Sequence, residues 1–423
     1  MTCSQFHNIK FIYMIKPITL TAVALGLTVG TFAQSRKCAS HVLHQQKMEQ
    51  DASYRTRRAN IENQSTSANS RKTATLYTIP VVVHVIHNGE TEGTGTNISD
   101  AQVQSAITAL NKDFRMQNAD TLKPTHPFYS LSADVELEFC LARKDTSGQA
   151  TTGIMRYNSG QSEWEVTAFD NNVKPLTQWN PSKYLNIWVV TLGGADAGTL
   201  GYATFPGTTG PSDGVVVGTT YFGTTGNVSP GYDLNRTTTH EVGHYLNLSH
   251  IWGDATCGDD LVADTPTQEA DNSGCPSFPH NASSACNPGS NGEMYMNYMD
   301  YTDDACMQLF TQGQKSRMRA AIEGPRVSLT TSDACNLPTS AAAINANAAA
   351  VYPNPTTGMV TISSGTDAQV NLAIYDLNGT QVYGGVTTGA NTSVNTSAFA
   401  AGNYVVVLST EAGIVQKSLT VIK

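Results

Sequence analysis

Apolar residues follow three regimes along this chain. From residue 77 to about 220 they form short runs and alternations, from 257 to 310 no period holds, and after 350 the pattern is that of strands. Residues 79–86 are a β-branched run and predict a buried strand. Ser99 and Gln102 have the spacing of a capping box, and Val103, Ile107, Leu110 and Phe114 then keep helical spacing. An amphipathic helix packing on that strand is therefore expected. Residues 135–141 alternate strictly and predict a half-buried strand; 184–190, 200–205 and 214–217 predict three more. Strand, helix, then several strands describe an α/β or α+β body.

The stretch 257–310 is rich in Gly, Pro, Asp and Asn and carries four Cys. A loop this long is usually functional or held by cross-links or metals. Thr311 and Gln314 repeat the capping-box spacing and open a helix through Met318 and Ile322. Residues 336–349 are Ala/Asn-rich and read as a linker. Beyond them, Asn378-Gly379 and Ala412-Gly413 each separate two strand-like runs, so 350–423 is expected to be a small β-sandwich. Residues 45–62 have weak helical character and little core. Residues 34–73 as a whole are polar and basic and read as a mobile arm whose basic sites, from Arg55 to Arg71-Lys72, suit proteolytic nicking.

Composition narrows the function classes. Of 423 residues, 14% are charged, against about 25% in an ordinary soluble domain, while 40% are hydrophobic and the net charge is −9. That excludes a charge-rich disordered chain, and the lack of a basic stripe argues against nucleic acid. Lys10 and Lys16 precede an apolar run at 18–30 that ends in the small Ala33, the pattern of a signal peptide over 1–33. The run is short of the roughly 20 residues that span a bilayer, so no stable span is expected in the mature form. Of eight Cys, Cys3 leaves with this leader and Cys38 follows it; the other six suggest disulfides in an exported protein.

Chemistry concentrates at His240-Glu241-Val-Gly-His244-Tyr-Leu-Asn247-Leu-Ser-His250. On a helix, His240 and His244 lie one turn apart and can face one ion, and neutral imidazole suits Zn²⁺. Glu241 stands beside that face, where it can take a proton from an activated water. His250 reaches the same ion only if the chain turns near Asn247, a residue type that tolerates left-handed backbone. Asn235 is placed to cap the helix. Three His ligands leave a fourth position open, which marks a catalytic site rather than a structural one.

With these residues in view, the chain resembles the metzincin metalloproteases, and within them the pappalysin family in its cytophagalysin branch. Metzincins have Gly where this chain has Asn247. Asn297-Tyr298-Met299-Asp300-Tyr301 is similar to the family's Met-turn, which implies Met299 beneath the zinc and Tyr301 as a donor to the transition-state oxyanion. The resemblance implies an α+β catalytic domain over 74–335, with a twisted, mostly parallel sheet, an active-site helix and a loop-rich, disulfide-bonded subdomain. It also implies a secreted zinc endopeptidase acting on proteins or peptides, with substrates aligned by strand addition along 200–205. Cys38, in a propeptide over 34–73, resembles the zinc-blocking cysteine of related zymogens. Asp260, Asp264 and Thr265 resemble a calcium loop. Family pairing implies Cys257–Cys286 and Cys275–Cys306, leaving Cys140 with Cys335. Some relatives prefer Arg after the cut through an Asp before the fourth loop cysteine; here Ala305 stands there, with Asp304 one step back. Tyr352-Pro-Asn-Pro355 and the closing strand resemble a type IX secretion sorting domain. That implies passage through the periplasm, contact with the secretion machinery, and a secreted or cell-surface product. The alternative is a secreted adhesion or binding protein with a degenerate protease domain, against which the complete zinc, base and tyrosine positions weigh.

Overall fold

The structure, a computed structural model, describes residues 36–67, 75–281, 285–337, 347–367, 369–387, 389–410 and 413–423. The expected leader and most of the expected linker lie outside these residues. In chain order the first elements are α1 (Ser40–Gln50), α2 (Ala52–Ser67), β1 (Tyr77–His87), α3 (Asp100–Phe114), β2 (Leu137–Leu141) and β3 (Ile154–Asn158). Next come α4 (Val166–Asn172), α5 (Lys174–Thr177), β4 (Leu185–Val189), β5 (Gly201–Ala203), β6 (Val215–Val217), α6 (Arg236–Tyr245) and α7 (Gln312–Glu323).

The sheet runs β2-β1-β4-β6-β5, with β3 also on β1. Every pairing is parallel except β5 with β6, so β5 is an antiparallel edge. Alternation along the strands divides the core in two. Ile79, Val81, Val83 and Val85 face Val103, Ile107, Leu110 and Phe114 of α3, Val242 of α6 and Met318 of α7. Ile86, Trp188, Tyr202 and Val216 face Val166 and Phe169 of α4. The sheet is thus covered on both faces, which is why its strands read as β-branched runs.

Four local readings need correction. The strand expected from 135 begins only at Leu137, because Glu136 has φ 61° and breaks the extended backbone. Ser99 caps α3, but the Gln102 side chain does not reach back to it. It is buried and binds the carbonyls of Thr219, Phe222 and Asn227 instead. The expected mobile arm is two docked helices, with Tyr54, Arg58 and Ile61 buried. Asn235 stands before α6 but makes no side-chain cap to it. β3, α4 and α5 are short and weakly patterned, and the sequence carries no clear signal for them. At α7, Thr311 and Gln314 form a complete capping box.

Among the described residues three disulfides are present: Cys140–Cys335, Cys257–Cys286 and Cys275–Cys306. The last two staple the long loop, which carries no helix or strand beyond a single short 3-10 turn at Asp304–Cys306 among its described residues. After residue 347 come β7 (Ala350–Tyr352), β8 (Met359–Ser363), β9 (Asn371–Asp376), β10 (Gln381–Val386), β11 (Asn391–Asn395), β12 (Gly402–Thr410) and β13 (Gly413–Val421). They form antiparallel sheets β10-β9-β12-β13 and β11-β8-β7 around Ile362, Leu372, Ile374, Val406, Leu408 and Leu419. Among the described residues, no helix is long and apolar enough to cross a membrane.

Candidate metal centre and active site

Helix α6 is buried along its whole length. Asn235 precedes it in left-handed backbone (φ 67°) and does not cap it; its side chain instead takes Gly223 N and binds Ala106 O. The cap comes from Asp304, whose Oδ2 accepts from the backbone N–H of Leu234 (2.9 Å) and Arg236 (3.1 Å). Gly243 is required by packing. A Cβ there would lie 2.5 Å from Met299 Sδ, so Met299 sits directly against the helix. The chain turns at Asn247 (φ 80°) and brings His250 back to His240 and His244.

The three imidazoles are oriented from behind. His240 Nδ1 meets Tyr298 O (2.8 Å), His244 Nδ1 meets Leu248 O (2.7 Å), and His250 Nδ1 meets a carboxylate oxygen of Asp254. These oxygens can only accept, so each Nδ1 carries the proton and each Nε2 presents a lone pair. His244 Nε2 is 3.1 Å from His240 Nε2 and 3.2 Å from His250 Nε2. Three buried lone pairs with no donor between them repel unless a cation lies among them. Tetrahedral Zn²⁺ with bonds of about 2.0–2.1 Å would separate its nitrogens by roughly 3.3–3.4 Å, close to this spacing. Burial holds His240 and His244 well below the usual imidazole range, in the neutral form a metal needs.

Cys38 completes the cluster: its Sγ and the three His nitrogens lie within 4.8 Å of one another. Burial, then the Glu241 carboxylate, pushes the thiol well up, so only a cation at the centre would make it a thiolate. Glu241 is buried and pushed up to about 7 by that burial. It accepts from Ser40 Oγ (2.9 Å) and Cys38 Sγ (3.4 Å). The Tyr301 hydroxyl accepts from Cys38 N at 3.2 Å, and burial keeps it protonated. Trp252 stacks on His250 (4.4 Å, 3° between planes) and packs edge-on against Tyr301.

The segment around Cys38 lies on β5. Leu200 N donates to Lys37 O (2.8 Å), Ala39 N to Gly201 O (3.2 Å), and Ala203 N to Ser40 Oγ (2.8 Å). The pairing of Cys38 with Gly201 is parallel. Arg36 reaches past the helix start to a fully buried ion pair with Asp304 (2.6 Å) and a bond to Thr237 Oγ1 (3.0 Å). His41 meets the second oxygen of Asp254 at 2.9 Å. Arg36, Ser40, His41 and Asp254 show no signal of their own in the sequence, and Asp304 shows only as the acidic neighbour of Ala305, not as the partner of Arg36. Ser40, the first residue of α1, sends its Oγ to the same Glu241 oxygen that the Cys38 thiol meets.

In the long loop the three expected calcium ligands part. Asp260 is buried and pushed up to about 7 by that burial, and it accepts from Thr265 Oγ1 (2.9 Å) and Val262 N (3.1 Å). Asp264 is turned to the start of α7, where Thr311 Oγ1 and Gly313 N donate to it.

The geometry agrees with what the chain is similar to. The family described as pregnancy-associated plasma protein-A, peptidase family M43, matches residues 168–323. An extracellular metalloprotease of Arthroderma otae is 33% identical over 253 residues, 58% of this chain and 77% of that relative. The chain belongs to the pappalysin family of zinc metalloendopeptidases. Among solved structures, a promirolysin mutant of Tannerella forsythia is 41% identical and superposes with a TM-score of 0.62 over 70% of this pappalysin and 97% of that chain. Mature mirolysin in complex with a cleaved peptide is 44% identical, with a TM-score of 0.55 over 61% of this chain and 96% of its own. Residues 350–423 match the family described as secretion system C-terminal sorting domain, so this pappalysin is an exported type IX secretion substrate.

Proposed function

We propose that this endopeptidase is made as a latent zymogen. In it His240, His244 and His250 hold Zn²⁺, and Cys38 closes the fourth position until residues 34–73 are removed. The observation that carries the reading is the four-atom cluster of Cys38 Sγ and three inward-facing His nitrogens. Residues 1–33 serve as leader, 74–335 as catalytic domain, 336–349 as linker and 350–423 as sorting domain.

Zn²⁺, when bound, polarises the scissile carbonyl and acidifies the attacking water. Glu241, released from Ser40 and Cys38, takes the water's proton and passes it to the leaving amine. Tyr301, losing Cys38 N as its partner, turns its hydroxyl proton to the developing oxyanion. β5 offers Leu200 N, Gly201 O and Ala203 N to an extended substrate. Substrate adds antiparallel to such an edge, whereas Cys38 pairs parallel. The latent segment therefore runs in reverse and presents its peptide bonds to Glu241 in the wrong order. Asp304, left with a buried charge once Arg36 departs, favours a basic substrate side chain in that place. Calcium at Asp260 and Thr265, without Asp264, belongs to the same proposal.

Glu241→Ala should keep one zinc per chain and lose proteolysis by about 10²–10⁴-fold, the range for a positioned general base. A variant that still cleaves at the parent rate would sink the assignment.

A further inference from the structure

Asn247 does more than make the turn that returns His250. Left-handed backbone is cheaper for Gly, and the side chain that Asn adds points at α2. Arg58 donates to Asn247 Oδ1 at 2.6 Å and to Pro206 O at 3.1 Å. Its guanidinium also lies over the Phe205 ring at 5.2 Å. Glu62, one helical turn on from Arg58 and paired with it at 2.6 Å, accepts from Asn247 Nδ2 at 3.3 Å. The other Glu62 oxygen takes Arg317 of α7 at 2.6 Å, and Arg317 Nε donates to Asn247 O at 2.7 Å. Arg58, Glu62 and Arg317 thus form a ring that holds both the side chain and the carbonyl of Asn247. Asn247 is fully buried, and Arg58 and Arg317 are only 6% exposed.

The ring is removed along the chain from Arg36, Cys38 and Ser40: the rest of α1 and the first turn of α2 lie between them. We propose that α2 is a second anchor of the latent state, independent of the metal, docked on the Asn247–Arg317 corner through an Arg and a Glu four residues apart. The proposal rests on reading residues 34–73 as a propeptide. Its consequence is kinetic. Each time Cys38 leaves the centre, α2 keeps it tethered at high effective concentration, so it returns before substrate enters. A cut at Arg71-Lys72 would sever the chain yet leave both anchors in place. The cleaved segment is then itself a ligand of the mature enzyme.

The thiol of Cys38 reports the opening. The full-length zinc-loaded precursor, made with Glu241→Ala to prevent self-processing, is labelled with a thiol reagent. The labelling rate is compared with that of the same chain carrying Arg58→Ala, Asn247→Gly, or both. Each substitution should raise the rate at least tenfold at unchanged zinc content. The pair together should raise the rate by less than the product of the two single effects, because both changes remove the shared Arg58–Asn247 bond. Gly fits the φ of residue 247, so the Asn247→Gly chain decides the matter if Arg58→Ala fails to fold. Unchanged rates in the folded variants would overturn the second anchor and leave the Cys38 reading intact. If the unsubstituted precursor labels as fast as a denatured thiol, the propeptide reading falls, and the second anchor with it.

Discussion

Each histidine of the centre is held by an oxygen behind it, and these three oxygens differ in kind. Two are backbone carbonyls that no substitution removes; the third is the Asp254 carboxylate. Asp254→Ala should therefore free the His250 ring and weaken zinc by about 10–100-fold, the usual cost of losing an outer partner. Competition against a metal indicator measures this, and unchanged affinity would mean that Trp252 alone orients the ring. The sequence displayed His240, Glu241 and His244 because one helical turn sets their spacing, and it displayed Asn247 because few residue types accept φ 80°. It concealed the partnership of Asp304 with Arg36. Their pairing spans 268 residues of chain and is made only by folding.

At the level of elements, β1 reads as an apolar strand with one misfit. His84 is buried between Trp188 (5.2 Å, stacked) and Trp179, and its Nε2 donates to Asn186 Oδ1 at 2.9 Å. Its Nδ1 is buried without a partner. Burial lowers its pKa to about 4. The folded pKa lies below the ordinary 6.5, so the unfolded chain takes up the proton first as pH falls. Stability from neutral His84 is thus complete above pH 6.5 and is lost as pH drops to about 4. The shift corresponds to roughly 3 kcal/mol. Denaturant midpoints between pH 7 and 4 should fall less steeply for His84→Gln than for the parent; parallel curves would show that His84 carries no proton linkage. β1, α3 and α7 were legible because pattern and capping agree with tertiary burial. α1 and α2 were not. Few of their side chains are apolar, and Arg58 and Glu62 look like solvated charge until the surface they dock on is known.

At the scale of the whole molecule, the order of segments was readable from changes in composition and patterning. What could not be read was that residues 36–67 pack onto the rest of the chain, since a strand edge shows nothing in sequence of what will cover it. If Cys38 closes the centre, a Cys38→Ala precursor should cleave peptides before any processing, while the parent precursor stays silent until cut. Equal silence of the two would place latency elsewhere. The central claim is that catalysis resides in one zinc held by His240, His244 and His250. Its most direct test is to follow zinc content and peptide cleavage together in the processed enzyme as a chelator removes the metal and zinc is then restored. Activity should fall in proportion to zinc, vanish at zero and return at one zinc per chain. Cleavage that persists after the zinc has gone would contradict the account.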